Sequence, residues 1–202
     1  QLDYKIHGLE DLHANLNLGY DIAQTTGRNF VLPGSIQSVQ DTNFPSLGGG
    51  NTWNNLRRNH LLDFYMNYTK DITSIKSHID VMAGYSWQHF HRSTENAYNN
   101  LNGDNPTSYI FKTESYLISF FGRVNYSFMN RYLITATLGN DGTSRFSKDN
   151  RWSSFPSVAL GWKLKEENFL KNVEVLSDLK LRLGWGITGQ QNLGDDYDFP
   201  YM

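Results

Sequence analysis

Strict alternation of apolar and polar residues recurs eight times along this chain, and a period of two sends successive side chains to opposite faces of a β-strand. Leu2, Tyr4 and Ile6 alternate with Asp3, Lys5 and His7, and Leu12 to Ile22 repeats the pattern against His13, Asn15, Asn17, Gly19 and Asp21. Leu62, Phe64, Met66 and Tyr68 stand against Asp63, Tyr65, Asn67 and Thr69, and Ile79 to Trp87 against Asp80, Gly84, Ser86 and Gln88. The fifth and sixth runs, Tyr116 to Tyr126 and Tyr132 to Leu138, flank a tight turn at Met129-Asn130-Arg131. The seventh sets Val158, Leu160, Trp162 and Leu164 against Ser157, Gly161 and Lys163. The cleanest is the eighth, Leu179, Leu181, Leu183, Trp185 and Ile187 against Lys180, Arg182, Gly184, Gly186 and Thr188.

The links between these runs are sorted by length. Short ones follow runs one, three, five and seven. Long ones, rich in Gly, Asn, Asp, Ser and Pro, occupy Ala23 to Asn54, His91 to Thr113 and Asn140 to Phe155. The last short link, Glu166 to Ser177, is expected to hold one helical turn around Glu167-Asn168-Phe169-Leu170. Short turns on one side and long loops on the other describe the wall of a transmembrane β-barrel. Runs of about nine to eleven residues fit a tilted membrane strand and exceed the usual five or six of soluble sheets. Tyr20, Tyr68, Trp87, Tyr116 and Tyr132 sit near the ends of the apolar runs, where an interfacial girdle places amphipathic rings. An arginine at Leu181 or Leu183 is expected to cost about 2–4 kcal/mol if near the bilayer midplane, and Arg182→Leu much less.

Composition excludes several classes. The 202 residues carry 18 Lys+Arg against 20 Asp+Glu, too balanced for counterion-release binding to nucleic acid. No apolar run approaches the ~18–20 residues of a membrane helix. The absence of cysteine removes thiolate metal sites and disulfide scaffolds. The chain opens without an initiator Met or an apolar leader and closes in loop-like sequence, so both ends read as cuts.

Three local patterns suggest chemistry and none sustains it. Gly184-Trp185-Gly186-Ile187-Thr188-Gly189 matches the dinucleotide fingerprint. That motif works only where a helix N-terminus follows, and Gln190-Gln191-Asn192-Leu193 has no helical period. His89 and His91, with Glu95, form a thin metal set whose ordinary reading is solvated rim histidines. Asp195-Asp196-Tyr197-Asp198 resembles a calcium-loop fragment without its remaining ligands. There is no Gly-x-Ser-x-Gly elbow and no carboxylate pair set up for acid–base work. The chain reads as no enzyme, with no cofactor and no metal.

The second half resembles a known family. Phe121-Gly122-Arg123-Val124-Asn125-Tyr126-Ser127, Arg131 to Leu138 and Asp141-Gly142-Thr143-Ser144-Arg145-Phe146 are similar to the SusC/RagA family of TonB-linked outer-membrane transporters. Asn150-Arg151-Trp152, Phe155 to Trp162, Leu176 to Arg182 and Gly186-Ile187-Thr188-Gly189-Gln190-Gln191 continue the likeness in order and spacing. Gly139-Asn140 departs from it, since relatives usually carry basic residues there.

The resemblance implies that residues 1–202 are part of one barrel domain in the bacterial outer membrane, eight strands of about 22. It also implies a plug and TonB box outside the chain, energy from TonB-ExbB-ExbD, a SusD-like lipoprotein lid, and oligosaccharide or oligopeptide cargo. Flat aromatic faces and planar amides bind sugars and peptides, so Trp53, Asn54, Tyr98, Asn99, Asn100 and Tyr109 are the candidate ligand contacts on the outer loops. Asp63, Arg123 and Arg182 are expected to face the plug. Two rival readings stay open: a self-contained eight-stranded barrel, and a soluble carbohydrate-binding sandwich.

Overall fold

The computed structural model describes residues 1–36, 39, 48–100 and 107–190, with the side chains of Asn99 and Asn100 outside that description. Eight strands form one sheet in sequence order, and the β-class expectation is met. They are β1 (Leu2–Lys5), β2 (Leu12–Val31), β3 (Gly49–Ile72), β4 (Ser77–Asn100), β5 (Thr107–Phe128), β6 (Tyr132–Thr143), β7 (Trp152–Lys163) and β8 (Lys180–Gly186). β1 and β8 end the order, so the described sheet is an open wall and not a self-contained barrel. A sandwich needs a dry apolar layer between two sheets. Here no hydrophobic residue is buried among the described residues, and the buried polar ones are Asn15, Ser77, Ser86, Thr113 and Thr143.

Contacts divide the chain into two compact units, residues 1–18, 61–88 and 116 onward through β8, and residues 19–60 and 89–115. In the first unit, register sets Val124 opposite Ala136, Ala136 opposite Val158 and Val158 opposite Trp185 on one face. Leu160, Leu183 and Leu138 lie exposed on the same face at 46%, 60% and 55%. Apolar side chains bared in this way suit a surrounding of hydrocarbon, which accepts them as a core would.

Aromatic rings close both ends of that face. At one end Phe128 stacks with Tyr132 (6.2 Å) and Tyr132 with Trp162 (6.3 Å). At the other, Phe120 stacks with Trp152 (6.0 Å), and Trp87 meets Tyr116 (6.3 Å). Trp152 and Trp162 lie ten residues apart on β7, or about 33 Å of strand at ~3.3 Å per residue. A tilt of about 40° shortens this to about 25 Å, the height of an outer-membrane apolar band.

The polar tips of one aromatic end are tied down from outside the sheet. Tyr132 Oη donates to Glu167 at 2.7 Å, Trp162 Nε1 at 3.0 Å, and Arg131 reaches the same carboxylate at 3.4 Å. The backbone there turns once, as Leu170 and Lys171 N–H both donate to the Glu167 carbonyl. The hydroxyl of Tyr132, then the indole of Trp162, hold the Glu167 carboxyl below its ordinary value of 4.5. A lowered carboxyl pKa stabilises the fold above that value and ceases to do so as pH falls through the folded value. Acidifying well below 4.5 should therefore lower the urea midpoint of the full-length protein more than that of its Glu167→Gln variant. Equal shifts would show that the carboxylate contributes nothing there.

The opposite face is polar and cross-linked. Asp80 on β4 accepts from Thr69 Oγ1 (2.9 Å) and Asn67 Nδ2 (3.3 Å) of β3, and from Asn125 Nδ2 (3.0 Å) of β5. Asn125 in turn accepts from Thr135 Oγ1 of β6 at 2.9 Å. One relay thus spans four strands. The turn expected at Met129-Asn130-Arg131 is present, with Arg131 N–H donating to Phe128 O at 3.0 Å. Met129 (φ 52) and Asn130 (φ 55) take the left-handed region, the signs of a type I′ hairpin turn.

One expectation is corrected in length. β2 to β5 run 20, 24, 24 and 22 residues, about twice the nine to eleven that a crossing requires. The stretches read as loops, Ala23 to Asn54 and His91 to Thr113, contain the continuing strands to Val31, from Gly49, to Asn100 and from Thr107. Polar residues dominate both sides of these extensions, so no apolar period marks them.

Candidate functional site

At the long-loop end of β6, β7 and β8, on the polar face, lies a cavity of about 460 Å³. Register puts Asp141 opposite Ser153 and Gly139 opposite Phe155, and these line it with Phe146, Arg151 and Gln190. The chain just past β8 closes over Phe155 through Gly189, where a Cβ would stand 2.4 Å from the ring. Arg151 is anchored by its Nε–H to Phe146 O (3.1 Å) and through its own carbonyl by Thr143 N–H (3.1 Å). The Asp141 carboxylate makes no hydrogen bond or ion pair among the described residues. A free carboxylate, an anchored guanidinium, hydroxyls and two phenyl rings can bind the hydroxyls and apolar faces of a sugar, or the amides and side chains of a peptide.

A second cavity of about 480 Å³ lies among Asp3, Glu10, Asp11, His13, Asn67 and Thr69. Its carboxylates are engaged: Asp11 with Lys70 at 2.6 Å, Glu10 with Lys5 at 3.2 Å and Asp3 with His13 at 3.2 Å. The first cavity therefore has the groups left over for a ligand.

The candidate residues fall in different places. Asp63 accepts from Ser86 Oγ at 2.6 Å, a link between neighbouring strands. Arg123 opposes Thr137 and Arg182 opposes Gly161 on the polar face, both exposed and without a partner among the described residues. Trp53 covers Gly27, whose Cβ would meet the indole at 2.1 Å. Asn54, its neighbour, is on the other side of β3 and accepts from Gln24 Nε2 at 3.0 Å. Tyr109 stacks with Phe111 at 6.4 Å, and Tyr98 is half-buried on β4. The side chains of Asn99 and Asn100, and Asp195-Asp196-Tyr197-Asp198, lie outside the described residues. His89 meets His60 (Nδ1 to Nδ1, 3.3 Å) and Glu114 (Nε2 to Oε1, 2.5 Å). No cluster of metal-ligating residues occurs among the described residues. β8 ends at Gly186 and residues 187–190 are neither helix nor strand, so among the described residues no helix follows the fingerprint glycines.

Sequence reasoning missed the cavity itself. Asp141 and Phe146 entered only as part of a family-like motif, and Arg151 and Phe155 only as its continuation. The available signal was the shared phase of Thr137, Gly139 and Asp141 on one strand with Ser153 and Phe155 on the next.

Comparison with known proteins agrees with this architecture. Residues 1–201 match the family model described as TonB dependent receptor-like, beta-barrel. The chain is 46% identical to TonB-dependent receptor SusC of Bacteroides thetaiotaomicron across 98% of its own length and 20% of that protein. It is 35% identical to TonB-dependent receptor P3 of Formosa agariphila across 71% of the chain and 15% of that protein. Among solved structures, the RagAB peptide transporter aligns with a TM-score of 0.79 at 22% identity, over 94% of this chain and 22% of that one. The RagAB peptide importer in its open-open state aligns at 0.76 and 21% identity, over 92% and 21%. The structural likeness carries the fold, and the chain spans only 15–20% of the two curated relatives. With a family model matched from end to end and the same single-layer wall, this chain belongs to the TonB-dependent receptor-like β-barrel family.

Proposed function

We propose that the chain is part of the barrel of an outer-membrane importer that takes up oligosaccharides or oligopeptides, energised by TonB-ExbB-ExbD and covered by a SusD-like lipoprotein lid. The observation that carries this reading is the two-faced wall. Its apolar face is bounded by aromatic ends about 25 Å apart, while its polar face bears the Asp80 relay and the Asp141 cavity. Identity to SusC over nearly the whole chain supports the same reading. Cargo meets the polar face, with Asp141 and Arg151 as hydrogen-bonding partners and Phe155 as an apolar platform. Trp53, Tyr98 and Tyr109, on β3, β4 and β5, are further candidate cargo contacts. Asn54 is turned to the other side of β3, and Asn99 and Asn100 complete the candidate set. Asp63, Arg123 and Arg182 hold a plug. The protein moves cargo and catalyses no reaction.

The test is uptake by whole cells. Deleting the full-length gene should abolish uptake of one class of large oligosaccharide or oligopeptide while leaving its monomer unaffected, and a protonophore should do the same to the parent strain. Complementation with the Asp141→Asn gene should restore less uptake at limiting cargo than the unaltered gene. Unchanged uptake of every oligomer after deletion would sink the reading.

A further inference from the structure

A row of four side chains crosses β2 to β5 within the second unit. Tyr20 stacks on His60 at 5.0 Å, His60 faces His89 Nδ1 to Nδ1 at 3.3 Å, and His89 Nε2 reaches Glu114 Oε1 at 2.5 Å. Sequence spacing groups His89 with His91 and Glu95 instead. All three lie on the one continuous strand β4, where ~3.3 Å per residue sets them ~7 and ~20 Å from His89. The neighbours that approach it therefore come from β3 and β5. Nor is His89 a solvated rim histidine, since its side chain is 15% exposed and that of Glu114 19%.

The Glu114 carboxylate fixes what His89 offers on its other edge. A carboxylate only accepts, so in the neutral ring Nε2 carries the proton and Nδ1 presents its lone pair toward His60. An imidazole held through its far nitrogen by a carboxylate is the arrangement that orients metal-ligating histidines and raises their basicity. The two rings are tilted by 51° with centroids 5.3 Å apart, and they meet through their nitrogens rather than by stacking. The gap between those nitrogens decides the ligand. At 3.3 Å it lies just beyond the ~2.7–3.2 Å of ordinary N–H hydrogen bonds to oxygen. Two nitrogens each ~2.0–2.1 Å from a zinc ion, at the tetrahedral angle, stand ~3.3–3.4 Å apart. Adjacent positions on a square-planar or octahedral ion would draw them to ~2.8–3.0 Å.

We propose that His60 Nδ1 and His89 Nδ1 bind a zinc ion, with Glu114 as the positioning residue behind His89. Without metal, His60 Nδ1–H donates to His89 Nδ1; when zinc enters, that proton moves to His60 Nε2 and both rings stay neutral. No group of three or more metal-ligating side chains occurs among the described residues, so the site is open and water completes the tetrahedron. The ion clips β3 to β4 in a wall where no described apolar side chain is buried to do so. All four residues of the row belong to one unit, and the site is independent of cargo and of the transport reading.

The experiment uses the full-length protein in detergent, stripped with a chelator and dialysed against zinc chloride, with bound metal counted by elemental mass spectrometry. His60→Gln and His89→Gln should each hold one zinc ion fewer per chain than wild type. Glu114→Gln should keep that ion with about 10–100-fold weaker affinity, and His91→Gln should bind as wild type does. Zinc should also raise the urea midpoint of wild type more than that of either histidine variant, each compared with its own metal-free form, which separates loss of the ion from loss of the fold. Cobalt in the same position should show the strong visible absorption of a tetrahedral site. Zinc content equal to wild type in either histidine variant would overturn the proposal, and so would an octahedral cobalt spectrum or an affinity unchanged in Glu114→Gln.

Discussion

Val158→Arg should destabilise the folded full-length protein in lipid bilayers by about 2–4 kcal/mol, whereas Leu181→Arg should cost about 0–1 kcal/mol. The difference is one of depth. Val158 lies between the two aromatic ends of β7, opposite Ala136 and Trp185, and is 43% exposed toward the surroundings. An arginine there must hold its charge in hydrocarbon. Leu181 stands opposite Trp162 in the aromatic end itself, where a guanidinium reaches the headgroups. The larger cost expected for Leu181 is conditional on a place near the midplane, and register sets it at the aromatic end instead. Arg182→Leu alters only the polar face and should fall well below Val158→Arg. Urea-dependent folding into vesicles measures all three, and equal losses for Val158→Arg and Arg182→Leu would remove the two-faced wall.

The second large effect is expected from a single methyl group. A Cβ added to Gly84 on β4 would stand 2.5 Å from the Cβ of Tyr65, 2.7 Å from the Phe121 ring and 2.7 Å from the Phe64 carbonyl oxygen. Two of these three atoms are backbone or fixed directly to it, so no rotamer change relieves them. Overpacking of this kind costs about 1–3 kcal/mol, and Gly84→Ala should show that loss. Gly122 is the control. Its Cβ would meet only the Met82 carbonyl at 3.8 Å, so Gly122→Ala should be neutral or slightly stabilising through a less flexible unfolded chain. The same folding titration separates them, and a Gly84→Ala midpoint equal to wild type would show that β3 and β5 move apart freely.

These contrasts mark what the residues disclosed before the coordinates. β6 to β8 were legible almost residue by residue, because one face meets hydrocarbon and the other water, and Leu181, Leu183 and Trp185 alternate with Lys180, Arg182 and Gly184. The outer parts of β2 to β5 were not. Residues such as Thr25, Thr26 and Arg28, or Asn51, Thr52 and Asn54, are polar in both phases, and backbone pairing continues there without an apolar period to reveal it. The Asp80 relay was equally hidden, since nothing in Asn67, Asp80, Asn125 and Thr135 taken singly predicts that register will align them. The Asp141 cavity needed that alignment too, together with Gly189 folding over Phe155. Trp53 and Tyr109 stood out as aromatics in stretches read as loops, and the strand phase, which the sequence does not reveal there, separates Trp53 from its neighbour Asn54.

The sequential strand order has a kinetic corollary. Every strand pairs with its immediate neighbour in the chain, so each pairing closes only the link between them, and loop-closure entropy grows with that link. The tightest such link is Met129-Asn130, already bent with the handedness a twisted hairpin needs. The β5–β6 hairpin is therefore the cheapest element to form first. Pairing then spreads through β7, whose strand is bonded to β6 over eleven consecutive residue pairs from Tyr132–Trp162 to Gly142–Trp152. Assembly in this order resembles a zipper moving outward from one hairpin, and a proline at Asn130, which cannot take positive φ, would slow its first step more than any change at the far edge of the wall.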